Sequence, residues 1–202
     1  MTRPLDRPFS QACENNKHPL LEVLRRYLAD VDDVLEIGSG TGQHAAFFAE
    51  KLPHLQWQTS DLPENHDGIQ QWLDAARLPN ARPPLALDVT RPPWPVTRVS
   101  AVFSANTAHI MAWPAVQSFV AGVGRVLVPN GLFLLYGPFN YDGRYTSESN
   151  ARFDQWLAQR DSQSAIRDFE AIDRESRAAR LRLVEDVEMP ANNRLLVWRA
   201  DE

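Results

Sequence analysis

The stretch Val34-Leu35-Glu36-Ile37-Gly38-Ser39-Gly40-Thr41-Gly42 decides the fold of this chain. An apolar run that carries an acid breaks into a loop with glycine at every second position, and the helix-forming segment Gln43–Leu52 follows. This order predicts a strand, a tight turn and a helix. Glycine has no Cβ and tolerates positive φ, so such a loop lets the backbone approach a ligand closely. The free N–H groups at the start of the helix favour an anionic group there.

The glycine loop can be interpreted as a binding site for either of two classes of ligand. A dinucleotide-binding loop reads G-x-G-x-x-G; Gly38 and Gly40 fit it, but Gln43 stands where the third glycine belongs. The sequence reads E-x-G-x-G-x-G instead, which resembles motif I of the class I methyltransferases that use S-adenosyl-L-methionine (SAM). In that family the acid and the glycine loop hold the methionine end of SAM. The resemblance therefore implies that Glu36 and Gly38–Gly42 bind SAM, with an NAD site or a turn without a ligand as the alternatives.

Length and composition are those of one globular domain. The 202 residues are 44% hydrophobic and 23% charged, which predicts a single domain over residues 1–202. A net charge of −5 argues against a nucleic-acid partner, because such proteins usually present a basic face. One cysteine, Cys13, excludes an internal disulfide, and we expect it to be a partly buried residue rather than a nucleophile.

The sequence gives no sign of a membrane or secretory protein. It has no run of 18 apolar residues, which a membrane-spanning helix needs, and its first six residues contain no apolar signal core. We therefore expect a cytoplasmic protein that has a small-molecule substrate and no membrane partner. The sequence does not indicate the oligomeric state.

Strand-like apolar runs alternate with amphipathic helical stretches, which predicts an α/β fold with a parallel sheet. The predicted strands are Asp33–Ile37, Leu55–Ser60, Pro84–Leu87, Val99–Ser104, Gly131–Tyr136, Leu181–Met189 and Arg194–Arg199. The predicted helices are Pro19–Ala29, Gln43–Leu52, Asp67–Arg77, Pro114–Leu127, Glu148–Gln159 and Asp168–Arg180. Residues 1–30 are expected to form an N-terminal lid and helix, with Glu14–Lys17 in the lid. Residues 137–165 are expected to be an insertion after strand five.

This layout also resembles the class I methyltransferases. The resemblance implies a Rossmann-like fold whose seven-stranded, mostly parallel sheet has the order 3-2-1-4-5-7-6, with helices on both faces and strand seven antiparallel. In open α/β sheets, ligands bind beyond the carboxyl ends of the strands, where the strand order reverses. That rule places Gly38–Gly42, Asp61, Asp88 and Asn106 around one crevice.

Two acids at strand ends are the candidates for the nucleoside part of SAM. Asp61 ends strand two, 21 residues after Gly40, and its carboxylate offers acceptor oxygens to both ribose hydroxyls, with Leu62 against the adenine face. The resemblance implies that Asp88 accepts a hydrogen bond from the adenine amino group and that Val89 packs against the adenine ring. A helix cap or an ordinary turn is the alternative role for each acid.

Other residues around the glycine loop would hold the methionine part. Glu36 lies in a strand that should be covered on both faces, where a carboxylate is costly without a partner. The methionine ammonium would offset that cost, and a salt bridge to a neighbouring lysine or arginine is the alternative. Ser39 and Thr41 can donate to the cofactor carboxylate, whereas His44 is expected only to occupy the first helical turn.

Four residues are candidates for catalysis or for orienting the substrate: Asn106, His109, Tyr141 and Tyr145. His109 follows strand four and has an ordinary pKa near neutrality, so it could act as general base, unless it is a structural histidine bonded to a loop carbonyl. Tyr141 and Tyr145 lie in the loop after strand five, which should overhang the crevice and offer flat contacts. The N-P-P-Y motif of amino-methyltransferases is absent, which disfavours a planar amide or amine as methyl acceptor.

A second resemblance covers nearly the whole chain. The segments 12–17, 145–154, 166–170 and 189–193 are similar to those of an uncharacterised methyltransferase-like family of unknown function found in bacteria and animals. It implies SAM binding but names no substrate, because function resides in the site and not in the fold. We therefore expect a SAM-dependent methyltransferase with an unidentified, small-molecule acceptor. The alternatives are a non-catalytic protein that binds SAM or S-adenosylhomocysteine, a nicotinamide oxidoreductase, and an enzyme with a protein or RNA acceptor.

Overall fold

The computed structural model describes residues 7–202, so the first six residues of the expected lid lie outside it. The strands are β1 (Asp33–Ile37), β2 (Gln56–Asp61), β3 (Ala81–Ala86), β4 (Val99–Ala105), β5 (Leu127–Gly137), β6 (Phe139–Asn140), β7 (Arg167–Asp168), β8 (Leu181–Met189) and β9 (Asn193–Ala200). The helices are α1 (Gln11–Tyr27), α2 (Gln43–Lys51), α3 (His66–Ala76), α4 (Trp113–Val126), α5 (Glu148–Arg160) and α6 (Phe169–Ala178). Within this part of the chain, no helix combines the length and the apolar character needed to cross a membrane.

The main sheet has seven strands in the order β3-β2-β1-β4-β5-β9-β8, and the two-residue strands β6 and β7 pair separately. Without that short pair, the order is the expected 3-2-1-4-5-7-6. Strand β9 runs antiparallel to both β5 and β8, as expected for strand seven. The predicted α/β fold is therefore confirmed. By its internal contacts the chain divides into two compact units, one ending at Leu87 and one beginning at Asp88.

The first unit is built around β1, whose central residues are almost fully buried. Its apolar side chains Val34, Leu35 and Ile37 are at most 2% exposed, as expected for a strand covered on both faces. Strand β2 pairs with β1 and β3 in parallel. The Asn80 side-chain amide donates to the carbonyls of Ala49 and Leu55, each at 2.9 Å, which closes the turn between α2 and β2.

The second unit is held by an aromatic core under β5. Phe133 stacks on Trp198 at 5.2 Å between ring centroids and meets Phe119 edge-to-face at 5.5 Å. Each of these rings is fully buried, and such side chains dominate the energetics of a core. The Trp198 indole N–H donates to Asp173 at 3.0 Å, which satisfies the polar atom of this ring.

Helix α1 begins at Gln11, eight residues before the predicted start at Pro19. The Ser10 hydroxyl accepts from the Cys13 N–H at 3.3 Å and caps the helix, and Pro19 lies inside it. The predicted lid residues Glu14–Lys17 are therefore early turns of a helix. The loop expected from Gly137 to Ser147 also contains structure, because β6 pairs with β7. Asp142 and Gly143 have φ of 50° and 68° at the centre of the tight turn that follows.

Candidate functional site

The three glycines of the loop after β1 all have positive φ, but for different reasons. Their φ values are 74° for Gly38, 57° for Gly40 and 87° for Gly42. A Cβ on Gly42 would lie 2.8 Å from the Cα of Ile69 in α3, so packing requires glycine there. A Cβ on Gly40 would meet no atom within 4 Å. Among the described residues no atom therefore fills the space beside Gly40, so a ligand could approach the backbone there.

Asp61, at the end of β2, fixes the shape of this loop. Its Oδ2 accepts the Gly40 N–H at 2.7 Å, while its Oδ1 accepts the Leu62 N–H at 2.7 Å and the Asn65 side-chain amide at 2.8 Å. A carboxylate has about four lone-pair sites, so capacity for a further donor remains. The neighbouring Leu62 side chain is 39% exposed, which is unusual for leucine and leaves an apolar face available.

Glu36 is a buried carboxyl whose protonation is finely balanced. It is 2% exposed, and burial raises its pKa to about 7 even though hydrogen bonds from Ser39 and Trp57 oppose that shift. The Ser39 hydroxyl donates to Oε2 at 2.7 Å and the Trp57 indole N–H to the same atom at 3.2 Å. Both donors are neutral, so a cation beside Glu36 would stabilise its ionised form.

Ser39 and Thr41 already have protein partners. The Ser39 hydroxyl accepts the Ser60 N–H at 3.2 Å while it donates to Glu36, and the Thr41 hydroxyl donates to Oε1 of Gln43 at 3.1 Å. Donation from either hydroxyl to a cofactor carboxylate would require it to leave its present acceptor. These two assignments stay predictions.

Helix α1 and its cap residue Ser10 contact the start of α2 and the end of the glycine loop. The Ser10 N–H donates to Oε1 of Gln43 at 2.5 Å, and the His44 ring contacts Oδ1 of Asn16 at 2.7 Å. Burial lowers the pKa of His44 to about 4. Burial likewise raises the pKa of the Cys13 thiol, which hydrogen-bonds with Ser10 and Thr41. His44 thus joins α1 to α2, and sequence reasoning missed Asn16 as its partner.

In the second unit, Asp88 forms a local turn. Its Oδ1 accepts the Thr90 N–H at 2.9 Å and the Thr90 hydroxyl at 2.7 Å, and Oδ2 lies 3.1 Å from Nε of Arg91. The Thr90 hydrogen bonds hold the pKa of Asp88 below its usual range. Val89 is 8% exposed. These contacts match the turn alternative, and the adenine roles of Asp88 and Val89 stay predictions.

His109 is a buried imidazole whose ring nitrogens have no polar partner in the part of the chain that the structure describes. It is 7% exposed and meets the Phe153 ring edge-to-face at 5.2 Å. Among residues 7–202 its ring nitrogens have no hydrogen-bond partner, so the expected alternative, a histidine bonded to a loop carbonyl, is not what the structure shows. Burial and then the charge of Arg167 lower its pKa to about 4. Asn106 begins the same loop with a φ of 61°.

The two candidate tyrosines are tied to acids of the protein. The Tyr141 hydroxyl donates to Asp186 at 2.7 Å, and the Tyr141 ring stacks on Phe169. The Tyr145 hydroxyl donates to Asp154 at 2.7 Å. The pKa of Tyr141 is raised, mainly by burial, and that of Tyr145 mainly by its hydrogen bond. Each phenol is therefore a poor proton carrier in this conformation, and neither hydroxyl is held toward a ligand.

Long-range side chains, rather than local turn chemistry, order the loops of the second unit. The Arg167 guanidinium donates to the carbonyls of Ala108 at 3.1 Å, of Gln163 at 2.7 Å and of Met111. The buried Asn150 amide reaches the Asn192 carbonyl at 3.2 Å. The contact between Asn150 and Asn192 joins two of the segments of the second resemblance, 145–154 and 189–193. Sequence reasoning missed these long-range contacts because nothing local marks their partners.

Asn140 in β6 is a further candidate. Its Oδ1 is buried and has no hydrogen-bond partner within residues 7–202, while its Nδ2 makes only a long contact of 3.5 Å to the Ile166 carbonyl. A buried acceptor without a donor is uncommon in folded proteins, so Asn140 is a candidate for accepting a hydrogen bond from a ligand. Of the predicted site residues, Glu36, Gly38–Gly42, Asp61 and Leu62 lie in the first unit, and Asp88, Val89, Asn106, His109, Tyr141 and Tyr145 lie in the second.

Comparison with known proteins identifies relatives of this arrangement. A family model described as "Protein of unknown function (DUF938)" matches residues 7–200. Malonyl-[acyl-carrier protein] O-methyltransferase from Alcanivorax borkumensis is 29% identical over 108 residues, which are 54% of this chain and 35% of that protein. This chain therefore spans about a third of that relative's length.

Solved structures share the fold at low sequence identity. An O-methyltransferase family protein from Burkholderia thailandensis has a TM-score of 0.82 at 17% identity, over 92% of this chain and 56% of that chain. Human N-acetylserotonin methyltransferase in complex with SAM has a TM-score of 0.72 at 14% identity, over 92% and 55%. The chain thus has the fold of these methyltransferases, and its match over residues 7–200 makes it a member of the DUF938 family of proteins of unknown function.

Proposed function

We propose that this protein is a SAM-dependent methyltransferase that acts on a hydroxyl group of a small molecule. The observation that carries the proposal is the loop Gly38–Gly42, which has three positive-φ glycines and is fastened by its Gly40 N–H to Asp61. The relative from Alcanivorax borkumensis, named as an O-methyltransferase, supports the choice of oxygen as methyl acceptor.

On this proposal the first unit holds most of the cofactor. The remaining acceptor capacity of Asp61 would serve one ribose hydroxyl, and the exposed face of Leu62 would lie against adenine. Glu36 would ionise beside the methionine ammonium, which offsets the cost of its burial. We also propose the adenine roles that the first resemblance implies for Asp88 and Val89.

SAM, when bound, supplies an electrophilic methyl group on a sulfonium. Its transfer is an in-line displacement, for which the protein must mainly align the two reactants and exclude water. We propose that the His109 ring takes the proton of the attacking hydroxyl. With a pKa of about 4, the ring is neutral at physiological pH and has no competing acceptor or donor among the described residues.

Two asparagines would orient the methyl acceptor. Asn140 presents a buried oxygen that lacks a donor, which suits an O–H or N–H of the substrate. Asn106 lies at the end of β4 and its N–H donates to the Tyr136 carbonyl at 2.9 Å, which sets the direction of the loop to His109. Tyr141 and Tyr145 would support this loop structure and would not carry protons.

Titration calorimetry of the full chain with SAM, S-adenosylhomocysteine and NAD tests the cofactor assignment. We expect the first two to bind and NAD not to bind. Asp61→Asn should weaken SAM binding at least about tenfold, or about 1.4 kcal/mol. The exposed Asp30→Asn, with the same loss of charge, should leave it unchanged. Absence of binding of both sulfur compounds would contradict the proposal.

Turnover separates an enzyme from a binding protein. A panel of small hydroxyl compounds, with S-adenosylhomocysteine formation as the readout, should reveal at least one substrate. Binding of SAM without turnover of any compound would favour the non-catalytic alternative. Proton release during SAM titration at about pH 7 would support a cation beside Glu36, because its ionisation would then accompany binding.

A further inference from the structure

A separate pocket lies in the first unit, against α1, α2 and α3. Its volume is about 290 Å³. The described residues that line it are Arg7, Glu14, Lys17, Gln43, Ala46, Phe47, Glu50, Trp72, Ala75 and Ala76. None of them is among the residues proposed to hold SAM. The pocket is therefore a second place where a small molecule could bind.

Gln43 is one of the residues that line this pocket, and its side-chain amide carries a donor without a partner among the described residues. The residue is 4% exposed, and its Nε2 is buried without a hydrogen-bond partner within residues 7–202. The assignment of the amide nitrogen is fixed by its surroundings, because the Ser10 backbone N–H can only donate and lies 2.5 Å from the other amide atom, Oε1. A buried donor without an acceptor is costly, so a ligand with an acceptor oxygen would be favoured.

Among the charged residues that the structure describes around the pocket, Arg7 is the one without an ion pair. Glu14 pairs with Lys17, and Glu50 pairs with Lys51 at 2.9 Å. The Arg7 guanidinium lies 4.2 Å from the centre of the Trp72 ring and has no carboxylate partner among the described residues. The residues that line the pocket therefore include a guanidinium without a carboxylate partner and an amide donor without an acceptor, among the described residues.

We propose that this pocket is a binding site for a small aromatic carboxylate, a ligand that is neither the methyl donor nor the methyl acceptor. Its carboxylate would accept from Gln43 and be neutralised by Arg7, while its ring would lie among Phe47, Trp72 and the small alanine side chains. An aromatic amine would leave the Gln43 donor unpaired and meet the charge of Arg7 instead. The site therefore selects anions.

Titration of the full chain with benzoate, benzyl alcohol and benzylammonium, followed by NMR or calorimetry, tests this site. Benzoate should bind at least about tenfold more tightly than either other probe. Gln43→Glu keeps the acceptor of the Ser10 N–H but replaces the free donor by a second oxygen, so it should reduce benzoate affinity at least about tenfold. Gln159→Glu, an exposed residue of α5, makes the same charge change and should have no effect.

A second variant tests the site if Gln43→Glu does not fold. Arg7 is exposed, so Arg7→Gln should fold normally and still weaken benzoate binding several-fold. Equal affinity for benzoate and benzylammonium, or unchanged benzoate binding in Arg7→Gln, would overturn the proposal. SAM titrated in parallel reports on the methyl-donor site, so failure of one assignment is distinguishable from failure of the other.

Discussion

The glycine loop of the first unit and the tyrosine-bearing loop of the second both follow strands of the main sheet, but they are ordered in opposite ways. The glycine loop is held by its backbone, through three positive φ values and a contact from its Gly40 N–H to Asp61. The second loop is held by side chains, since Tyr141 and Tyr145 donate to Asp186 and Asp154. The backbone at Gly40 thus stays open on one side, whereas the hydroxyls of Tyr141 and Tyr145 already donate to acids of the protein.

The largest expected effect is that of replacing His109, whose ring nitrogens have no hydrogen-bond partner within residues 7–202. His109→Gln should lower methyl transfer to a substrate from the hydroxyl panel by about 100- to 10,000-fold, because proton removal typically contributes that much. SAM affinity, measured by calorimetry, should not change. Retention of turnover within about threefold would remove His109 from the mechanism and leave alignment as the main source of catalysis.

Substitutions at Gly40 and Gly42 should destabilise the protein to different extents. Gly42→Ala combines a positive φ with a Cβ 2.8 Å from the backbone of Ile69, and should cost about 2 to 5 kcal/mol of unfolding free energy. Gly40→Ala meets no atom, so only its φ is unfavourable, at about 1 to 2 kcal/mol. Urea denaturation measures both costs.

The variants Gly40→Ala and Gly42→Ala also distinguish a role in packing from a role in ligand binding. Gly40→Ala should remain folded yet weaken SAM binding at least about tenfold, because its Cβ would occupy the open side of the loop. Unchanged SAM affinity in Gly40→Ala would show that the cofactor does not approach the loop at this residue.

Glu36 makes stability depend on pH. Because its pKa rises from 4.5 to about 7 on folding, the folded state keeps a proton that the unfolded state has lost between these values. Stability should therefore fall as pH rises through this window, by about 3 kcal/mol. Glu36→Gln should remove this fall, so the variant gains on the wild type between about pH 5 and pH 8 in urea denaturation. A parallel pH profile for both proteins would contradict the buried-acid assignment.

The smallest expected effects belong to the tyrosines. Tyr141→Phe should cost about 1 to 2 kcal/mol, since it leaves Asp186 without a donor in a half-buried place. Tyr145→Phe, at an exposed ring, should cost less than about 0.5 kcal/mol. Turnover in either variant should stay within about threefold of wild type. A loss of turnover as large as that of His109→Gln would return the phenol to the catalytic set.

Much of the fold could be predicted because its signals are local. Strand β1 has the predicted bounds, Asp33–Ile37, since burial on both faces leaves a continuous apolar run. The turn at Asp142-Gly143 follows from residues that tolerate positive φ. The start of α1 was predicted wrongly because Asn15, Asn16 and Lys17 resemble a polar loop, and the Ser10 cap gives only a weak signal.

The candidate site was less accessible to sequence reasoning. The Gly40–Asp61 contact could be anticipated from the order of parallel strands, whose carboxyl ends meet at one edge. The partners of Tyr141 and Tyr145 could not, because Asp186 lies 45 residues away and Asp154 has no distinctive pattern. Nor does any local pattern reveal that Gln43 or Asn140 would be left with an unsatisfied polar atom.

The position of Arg167 late in the sequence affects the order in which the loops fold during synthesis on the ribosome. Its donations to the carbonyls of Ala108 and Met111 join positions 59 and 56 residues apart. Chains emerge from their amino terminus at about 5–20 residues per second, so the glycine loop can order seconds before the loop of His109 has its support. A truncated or stalled chain that ends before Arg167 would then have an ordered glycine loop, while the loop that carries His109 would lack the three carbonyl contacts of Arg167.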